Sequence, residues 1–230
     1  MSLETFGTPG DLYIDRGVDV NPNRPIFTGD VFDSVAIAGV QESGMAIVVA
    51  HPCSMRAGTS LKPRILMAAV MEHVSAGPNA WTRGFFDLTP LPDLVASGLH
   101  VGSFEELGQA RGAELDAGHR LACLSPFGVN LLQQRFIFYL TRLEVPTFRL
   151  QEAFGQYFEE VDLLEDWIDN LEGGNIDGRT AAGLFDTFLR TDLGAGRTLQ
   201  KDLRDPQRRA SVRQACQVEA RRIIQELGAE

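Results

Sequence analysis

The sequence contains little cysteine. Three cysteines occur among 230 residues, at wide spacings and without a CxxC pair. They are Cys53, Cys123 and Cys216. An odd number of widely spaced cysteines argues against a disulfide framework and against a cysteine zinc site. We therefore expect reduced thiols and a cytoplasmic location.

Long apolar runs and targeting signals are also absent. The longest apolar stretch that could form a helix, VNLLQQRFIFYL at 129–140, contains Gln133, Gln134 and Arg135. It is shorter than the roughly 20 apolar residues that a spanning helix needs. The N-terminus has no basic region followed by an apolar core, which argues against a signal peptide. The net charge of −10 opposes non-specific binding to nucleic acid or anionic membranes. We expect no membrane partner.

Motifs that bind nucleotides or metals are missing from the chain. No GxxxxGK[ST], GxSxG or HExxH occurs, and LGAGRT at 193–198 lacks the lysine of a phosphate-binding loop. The histidines are isolated, with no pair at the i, i+4 spacing of a helical metal site. They are His51, His73, His100 and His119. We predict no metal site and no cofactor.

Patterning divides the chain into three zones. Residues 1–24 are rich in glycine and proline and predict an extended arm. The next zone, 25–146, contains several short strand patterns separated by glycine and proline. They are GDVFDSVAIAG, GMAIVVAH, RILMAAVMEHV, FFDLTPL, LHVGSF and HRLACLS. The segment EELGQARGAELDAG at 105–118 predicts a short helix and a loop. The pattern favours a small, strongly bent β-barrel.

The remaining pattern is helical, so the predicted class is α+β. Ser125 before Pro126 indicates a helix start. Apolar residues then recur on one helical face, which predicts a helix buried against the sheet. They are Val129, Leu132, Phe136, Tyr139 and Leu143. Pro146 ends this helix, and 147–230 forms a helical C-terminal region with helices at 149–172, near 180–190 and from about Asp205 to Leu227.

Charge is segregated within that helical region. Nine acidic residues and no basic residue lie between 150 and 178, whereas eight basic and three acidic residues lie between 197 and 222. One interpretation is that oppositely charged helices pack together. The other is a patch for phosphate or an acidic partner, formed by Arg204, Arg208, Arg209 and Arg213. No aromatic residue is interleaved with these arginines, so the stacking expected of single-strand binding is missing.

The stretch AIVVAHPCSMRAG at 46–58 holds the strongest candidate site. In an extended chain His51 and Cys53 point to the same side, and Pro52 ends the strand. Arg56 follows closely, so an imidazole, a thiol and a guanidinium gather where the strand ends. The thiol could act as a nucleophile if the imidazole or Arg56 favours the thiolate. The alternative is a buried strand that simply leaves a barrel.

The order RPIFTGDVFDSV, GMAIVVAHPCSM, PRILMAAV over 25–145 resembles toxins of the MazF/PemK class. The resemblance implies an SH3-like barrel with a packed helix, often dimeric, that cuts RNA without a metal. It brings forward Arg24 and Asp30, beside the first strand, as candidate nucleic-acid or partner-binding residues. The helical region 147–230 exceeds the usual toxin length, which suggests an addition that binds a protein partner.

Three functional hypotheses follow. In the first, the chain is a toxin or defence protein that acts on RNA. His51 then serves as acid and base, and Arg56 and Arg64 hold phosphate. It would pair with an inhibitor, an antitoxin or a second copy. In the second, it is a non-catalytic adaptor or complex subunit that docks through its C-terminal helices. The third is a cysteine hydrolase built on Cys53 and His51.

Overall fold

The computed structural model describes residues 3–57, 60–74, 76–95 and 98–227. The chain forms two compact units. Unit 1 comprises Met1–Pro22 and Ile26–Ala153, and unit 2 comprises Asn23–Pro25 and Phe154–Glu230. Unit 1 contains the sheet, and unit 2 is helical. The predicted α+β class is confirmed.

The sheet of unit 1 is a curled antiparallel half-barrel of seven strands. A separate hairpin, β4–β5, lies outside it. The strands are β1 (Tyr13–Arg16), β2 (Val31–Asp33), β3 (Ala46–Val48), β4 (Arg56–Ala57), β5 (Ser60–Leu61), β6 (Arg64–His73), β7 (Leu88–Pro92), β8 (Leu99–Arg111) and β9 (His119–Leu124). Their order in the sheet is β1-β9-β2-β3-β6-β8-β7. Residues 13–16, predicted to lie in an extended arm, therefore form an edge strand, preceded by a 3-10 helix at Pro9–Leu12.

The ladder between β6 and β8 contains a bulge. Ala68 pairs with Leu107 and the adjacent Ala69 pairs with Ser103, so three residues of β8, 104–106, are surplus to the ladder. Such a bulge bends the strand and increases its twist. The predicted short helix and loop over 105–118 is wrong for residues 105–111, which lie in β8. Residues 107–111 pair with β6, and the pairing outweighs their weak strand propensity. A helix follows only at α3 (Gly112–Asp116).

The predicted buried helix is confirmed as α4 (Pro126–Thr141). Ser125 is its N-cap, and the Ser125 hydroxyl accepts the Gly128 N–H at 3.1 Å. Phe104 from the bulge packs against two α4 rings, Phe136 and Tyr139, at centroid distances of 5.2 and 5.8 Å. Leu143 was predicted on the buried face but is exposed, because Arg142 adopts a left-handed conformation that ends the helix before it.

Arg135 of α4 is fully buried and holds a loop of unit 1. Its guanidinium donates to the carbonyls of Leu88 at 2.6 Å and Trp81 at 2.9 Å, and also to those of Gly84 and Phe85. Burial lowers the pKa of Arg135 to about 10. The group stays charged at neutral pH because four carbonyl oxygens replace its water. The other helices of unit 1 are α1 (Pro52–Met55) and α2 (Pro78–Arg83).

Unit 2 has its own core. Its helices are α5 (Thr147–Gly173), which begins in unit 1, α6 (Gly178–Leu189), α7 (Leu199–Asp202) and α8 (Arg209–Leu227). Trp167 packs edge-on against Phe185 at 5.6 Å and donates its indole N–H to the carbonyl of Ala181 at 3.0 Å. The predicted helices are confirmed, although the last begins at Arg209 because 203–208 form turns. Within the described residues, no helix is long and apolar enough to cross a membrane.

Candidate functional site

The stretch that ends strand β3 becomes a helical turn. The N–H groups of Val49 and Ala50 both donate to the carbonyl of Leu66, at 3.2 and 3.3 Å, so the chain is still attached to β6 there. His51 is then the N-cap of α1, with Pro52 at its first position. The expectation that His51 and Cys53 share the face of an extended strand is wrong. The two side chains meet instead through the turn of the helix.

His51 and Cys53 form a close pair. The His51 Nδ1 atom lies 2.9 Å from Cys53 Sγ and accepts the backbone N–H of Cys53 at 3.3 Å. Cys53 is an exposed free thiol, and His51 is half-buried. Burial lowers the pKa of His51, so the imidazole is neutral at neutral pH. Because Nδ1 accepts a hydrogen bond, the neutral ring carries its proton on Nε2.

The β4–β5 hairpin adds positive charge next to this pair. Arg56, in β4, donates from Nε and Nη2 to the carbonyl of Ile26, at 3.2 and 2.8 Å. Lys62 follows β5, and its ammonium donates to the carbonyl of Cys53 at 3.3 Å. The Lys62 N–H also bonds to the carbonyl of Met55 at 2.8 Å, which closes the hairpin.

Lys62 was missed by the sequence interpretation, although a signal for it exists. No acidic residue occurs in 43–71, between Glu42 and Glu72, although the net charge is −10. This acid-free segment contains His51, Arg56, Lys62 and Arg64. A gap of this kind in an acidic chain marks a locally positive region.

Arg64 lies in a separate cleft. It is the first residue of β6, and its Nη1 donates to Gln109 Oε1 at 3.4 Å rather than to the His51–Cys53 pair. The cleft has a volume of about 690 Å³ and lies between the loop at 36–42 and the ends of β6 and β8. Arg111, at the end of β8, also lines it.

Two further candidates have structural partners. Arg24, predicted to bind a nucleic acid or a partner, is 6% exposed and forms ion pairs with Asp162 at 3.2 Å and with Glu165. Asp30 is 1% exposed, forms an ion pair with Arg120 at 3.3 Å and accepts the Phe27 N–H at 2.9 Å. Both residues stabilise the fold locally, Arg24 in unit 2 and Asp30 in unit 1.

The arginines of the C-terminal cluster also pair with carboxylates inside unit 2. Arg208 lies 2.9 Å from Asp202 and 3.2 Å from Asp205. Arg209 and Arg213 of α8 both reach Glu159 of α5, with an Arg213 Nε–Glu159 distance of 3.0 Å. Arg204 is exposed. These contacts are the ones expected if the charge segregation reflects helix packing.

No protein-family model matches the chain, and no curated protein is significantly similar to it. Among the described residues, no group of three or more His, Cys, Asp or Glu side chains could hold a metal ion. We therefore infer the function from the geometry of unit 1.

Proposed function

We propose that unit 1 acts on RNA, as a toxin or defence protein with an SH3-like barrel. The acid-free segment 43–71 carries this proposal. It places a neutral imidazole, a lysine and two arginines on and beside one hairpin of a chain whose net charge is −10. The phosphates of an RNA backbone bind to such local cationic surfaces even when the whole protein is acidic. The order of the strand motifs, which resembles the MazF/PemK class, also supports it.

The reaction we propose is phosphodiester cleavage by the RNA itself. The 2′-hydroxyl attacks the adjacent phosphorus, and its proton passes to His51. The bond from phosphorus to the 5′-oxygen breaks, and the leaving oxygen receives the proton back from His51. The products are a 2′,3′-cyclic phosphate and a free 5′-hydroxyl. Lys62 stabilises the extra negative charge in the transition state, whereas Arg56 holds the hairpin to Ile26.

Cys53 modulates this chemistry without taking part in it. A neutral imidazole accepts a proton only at its unprotonated nitrogen, which is the Nδ1 that faces Cys53. The RNA hydroxyl must therefore replace both the thiol and the Cys53 backbone N–H at Nδ1. Removing the thiol should leave cleavage intact or make it faster.

The proposal is tested with purified protein and a labelled single-stranded RNA, and in parallel by inducible expression in cells. We expect the parent protein to cleave RNA to cyclic-phosphate ends and to arrest growth. His51→Ala should abolish both effects, and Arg56→Ala should weaken them. His119→Ala removes an exposed histidine from β9 and should change nothing. All variants are compared at equal soluble levels. Intact RNA at an excess of parent protein would overturn the proposal.

A second candidate is a cysteine hydrolase, favoured by the 2.9 Å contact between His51 and Cys53. Here the thiol gives its proton to Nδ1, and the thiolate attacks the carbonyl carbon of an ester or amide. The C–O or C–N bond breaks, and the leaving group takes the proton from His51. Water then hydrolyses the thioester and restores the thiol. Cys53→Ala separates the two candidates, because it abolishes a hydrolase and spares the ribonuclease. The measurements are release of p-nitrophenol from p-nitrophenyl acetate and cleavage of the labelled RNA.

A further inference from the structure

The cleft beside Arg64 is built around two arginines that face each other. Arg64 and Arg111 are direct partners in the β6–β8 ladder, so their side chains leave the same face of the sheet. Opposed residues in antiparallel strands have Cβ atoms about 5 Å apart, and like charges there are destabilising. Both arginines are exposed. An anion bound between the two guanidinium groups would relieve this repulsion.

The groups that surround these arginines neutralise them weakly. Glu114 lies 3.7 Å from Arg111, whose side chain is 82% exposed, and Glu42 also lines the cleft. The contact of Arg64 with Gln109 is long, at 3.4 Å, and Gln109 is uncharged. Ion pairs this exposed contribute little. A phosphate oxygen, which guanidinium groups bind with paired hydrogen bonds, can therefore compete with Glu114 for Arg111.

The walls of the cleft are fixed before any ligand binds. Gln41 donates to the carbonyls of Val35 and Met45, at 3.0 and 3.2 Å, which closes the loop at 36–42. The Ala38 N–H donates to the carbonyl of Gln109 at 3.1 Å, which attaches this loop to β8. A Cβ atom on Gly108 would lie 2.5 Å from Ile37, so the loop rests directly on the strand. A preformed wall reduces the entropy lost on binding.

The main chain at one end of the cleft packs against the main chain that follows the hairpin. A Cβ atom on Gly112, the residue after Arg111, would lie only 2.3 Å from the carbonyl oxygen of Lys62. The Gly112 N–H also donates to the carbonyl of Pro63 at 3.1 Å. The main chain beside Arg111 therefore touches the main chain beside Lys62 and Arg64.

We infer that Arg64 and Arg111 together bind a phosphodiester of single-stranded RNA, next to the phosphate held at the hairpin. This inference rests on the proposed function and extends it, because it names the path of the RNA backbone from Lys62 into the cleft. Arg111 then acts in binding, and His51 acts in cleavage.

The test measures binding without cleavage. A fluorescent 12-nucleotide RNA with 2′-O-methyl groups cannot be cut by attack of its 2′-oxygen, and its affinity is followed by anisotropy over a range of salt. Arg111→Ala should weaken binding about tenfold, the loss expected for one charged hydrogen-bonded contact. It should also reduce the slope of log affinity against log salt by about 0.7. Glu114→Gln should strengthen binding, because it removes the competing carboxylate.

The matched control is Arg83→Ala, which removes an exposed arginine from α2, away from the cleft lining. An equal loss of affinity in Arg83→Ala and Arg111→Ala would overturn the inference, because it would show a general charge effect. Unchanged binding by Arg111→Ala would also overturn it. The proposed function would survive either result if the parent still cuts unmodified RNA and His51→Ala does not. If the parent neither binds nor cuts RNA, both fail.

Discussion

The cations of the helical unit 2 and those of the acid-free segment 43–71 in unit 1 differ in the partners of their described contacts. In unit 2, Arg24 and Arg213 each form an ion pair with a carboxylate. The Arg213 pair joins the basic segment 197–222 to Glu159 in the acidic segment 150–178. In unit 1, the described hydrogen bonds of Arg56, Lys62 and Arg64 go to neutral oxygens. A dense run of basic residues thus stabilises a fold, while a sparse group in an acid-free segment can attract an anion. The number of positive charges in a segment therefore does not identify a binding surface. Whether a basic segment can bind an anion depends on the acidic residues that lie near its positive charges.

The largest effect should come from Arg24→Ala. Arg24 is buried, and its removal breaks the ion pair with Glu165, which is 16% exposed. We expect the free energy of unfolding to fall by about 3 kcal/mol, as found when one partner of a buried ion pair is removed. Denaturant titration measures it. The control, Arg190→Ala, breaks an exposed pair with Asp186 and should cost about 0.4 kcal/mol. Equal losses of unfolding free energy in the two variants would show that the burial of Arg24 does not make its ion pairs more stabilising than an exposed pair.

Lys62→Ala and Arg64→Ala should change RNA affinity more than stability, in contrast to Arg24→Ala. Their free energy of unfolding should stay within about 0.5 kcal/mol of the parent, because both side chains make few contacts. Each should nevertheless lose about tenfold in affinity for the 2′-O-methyl RNA. The measurements are denaturant titration and anisotropy on the same samples. A loss of stability with unchanged RNA binding would show that Lys62 and Arg64 stabilise the fold, as the arginines of unit 2 do, and do not bind RNA.

Glu159→Gln should have an intermediate effect on stability. Glu159 of α5 accepts from Arg213 and lies 3.9 Å from Arg209, so one substitution weakens two contacts between α5 and α8. We expect a loss of about 1 kcal/mol, since these groups are partly exposed. The loss should shrink in high salt, which screens exposed charges. Glu152→Gln, on the exposed pair with Arg149, is the control.

The smallest effect should be the pH dependence caused by His51. Burial lowers the pKa of His51 in the folded state below its ordinary value of 6.5. Below pH 6.5 the unfolded chain therefore binds more protons at this residue, and acidification favours unfolding. His51→Gln should remove this contribution, so its stability should fall less between pH 7 and pH 5. Parallel curves for parent and variant in denaturant titrations would contradict the assignment.

Local patterns predicted some elements of the fold and could not predict others. Ser125 and Pro126 determine a helix start through their own side chains, so α4 was predictable. Residues 107–111 lie in a strand because β6 pairs with them. At the site, the closeness of His51 and Cys53 in sequence was visible from the start. Their contact through a helical turn was not predictable from it. Arg111 is 47 positions from Arg64, and only the register of β6 and β8 places them together.

The surplus of three residues in β8 gives this fold a simple way to change during evolution. Most alterations of a sheet's shape require many compensating changes in the core, because interiors are closely packed. Here the bend depends on the length of one strand between Ser103 and Leu107, and only Phe104 of the three surplus residues is deeply buried. Insertions or deletions at 105–106 would change the angle between the two halves of the β6–β8 ladder while sparing their side-chain packing. A lineage could thus widen or narrow the half-barrel by length variation at one point.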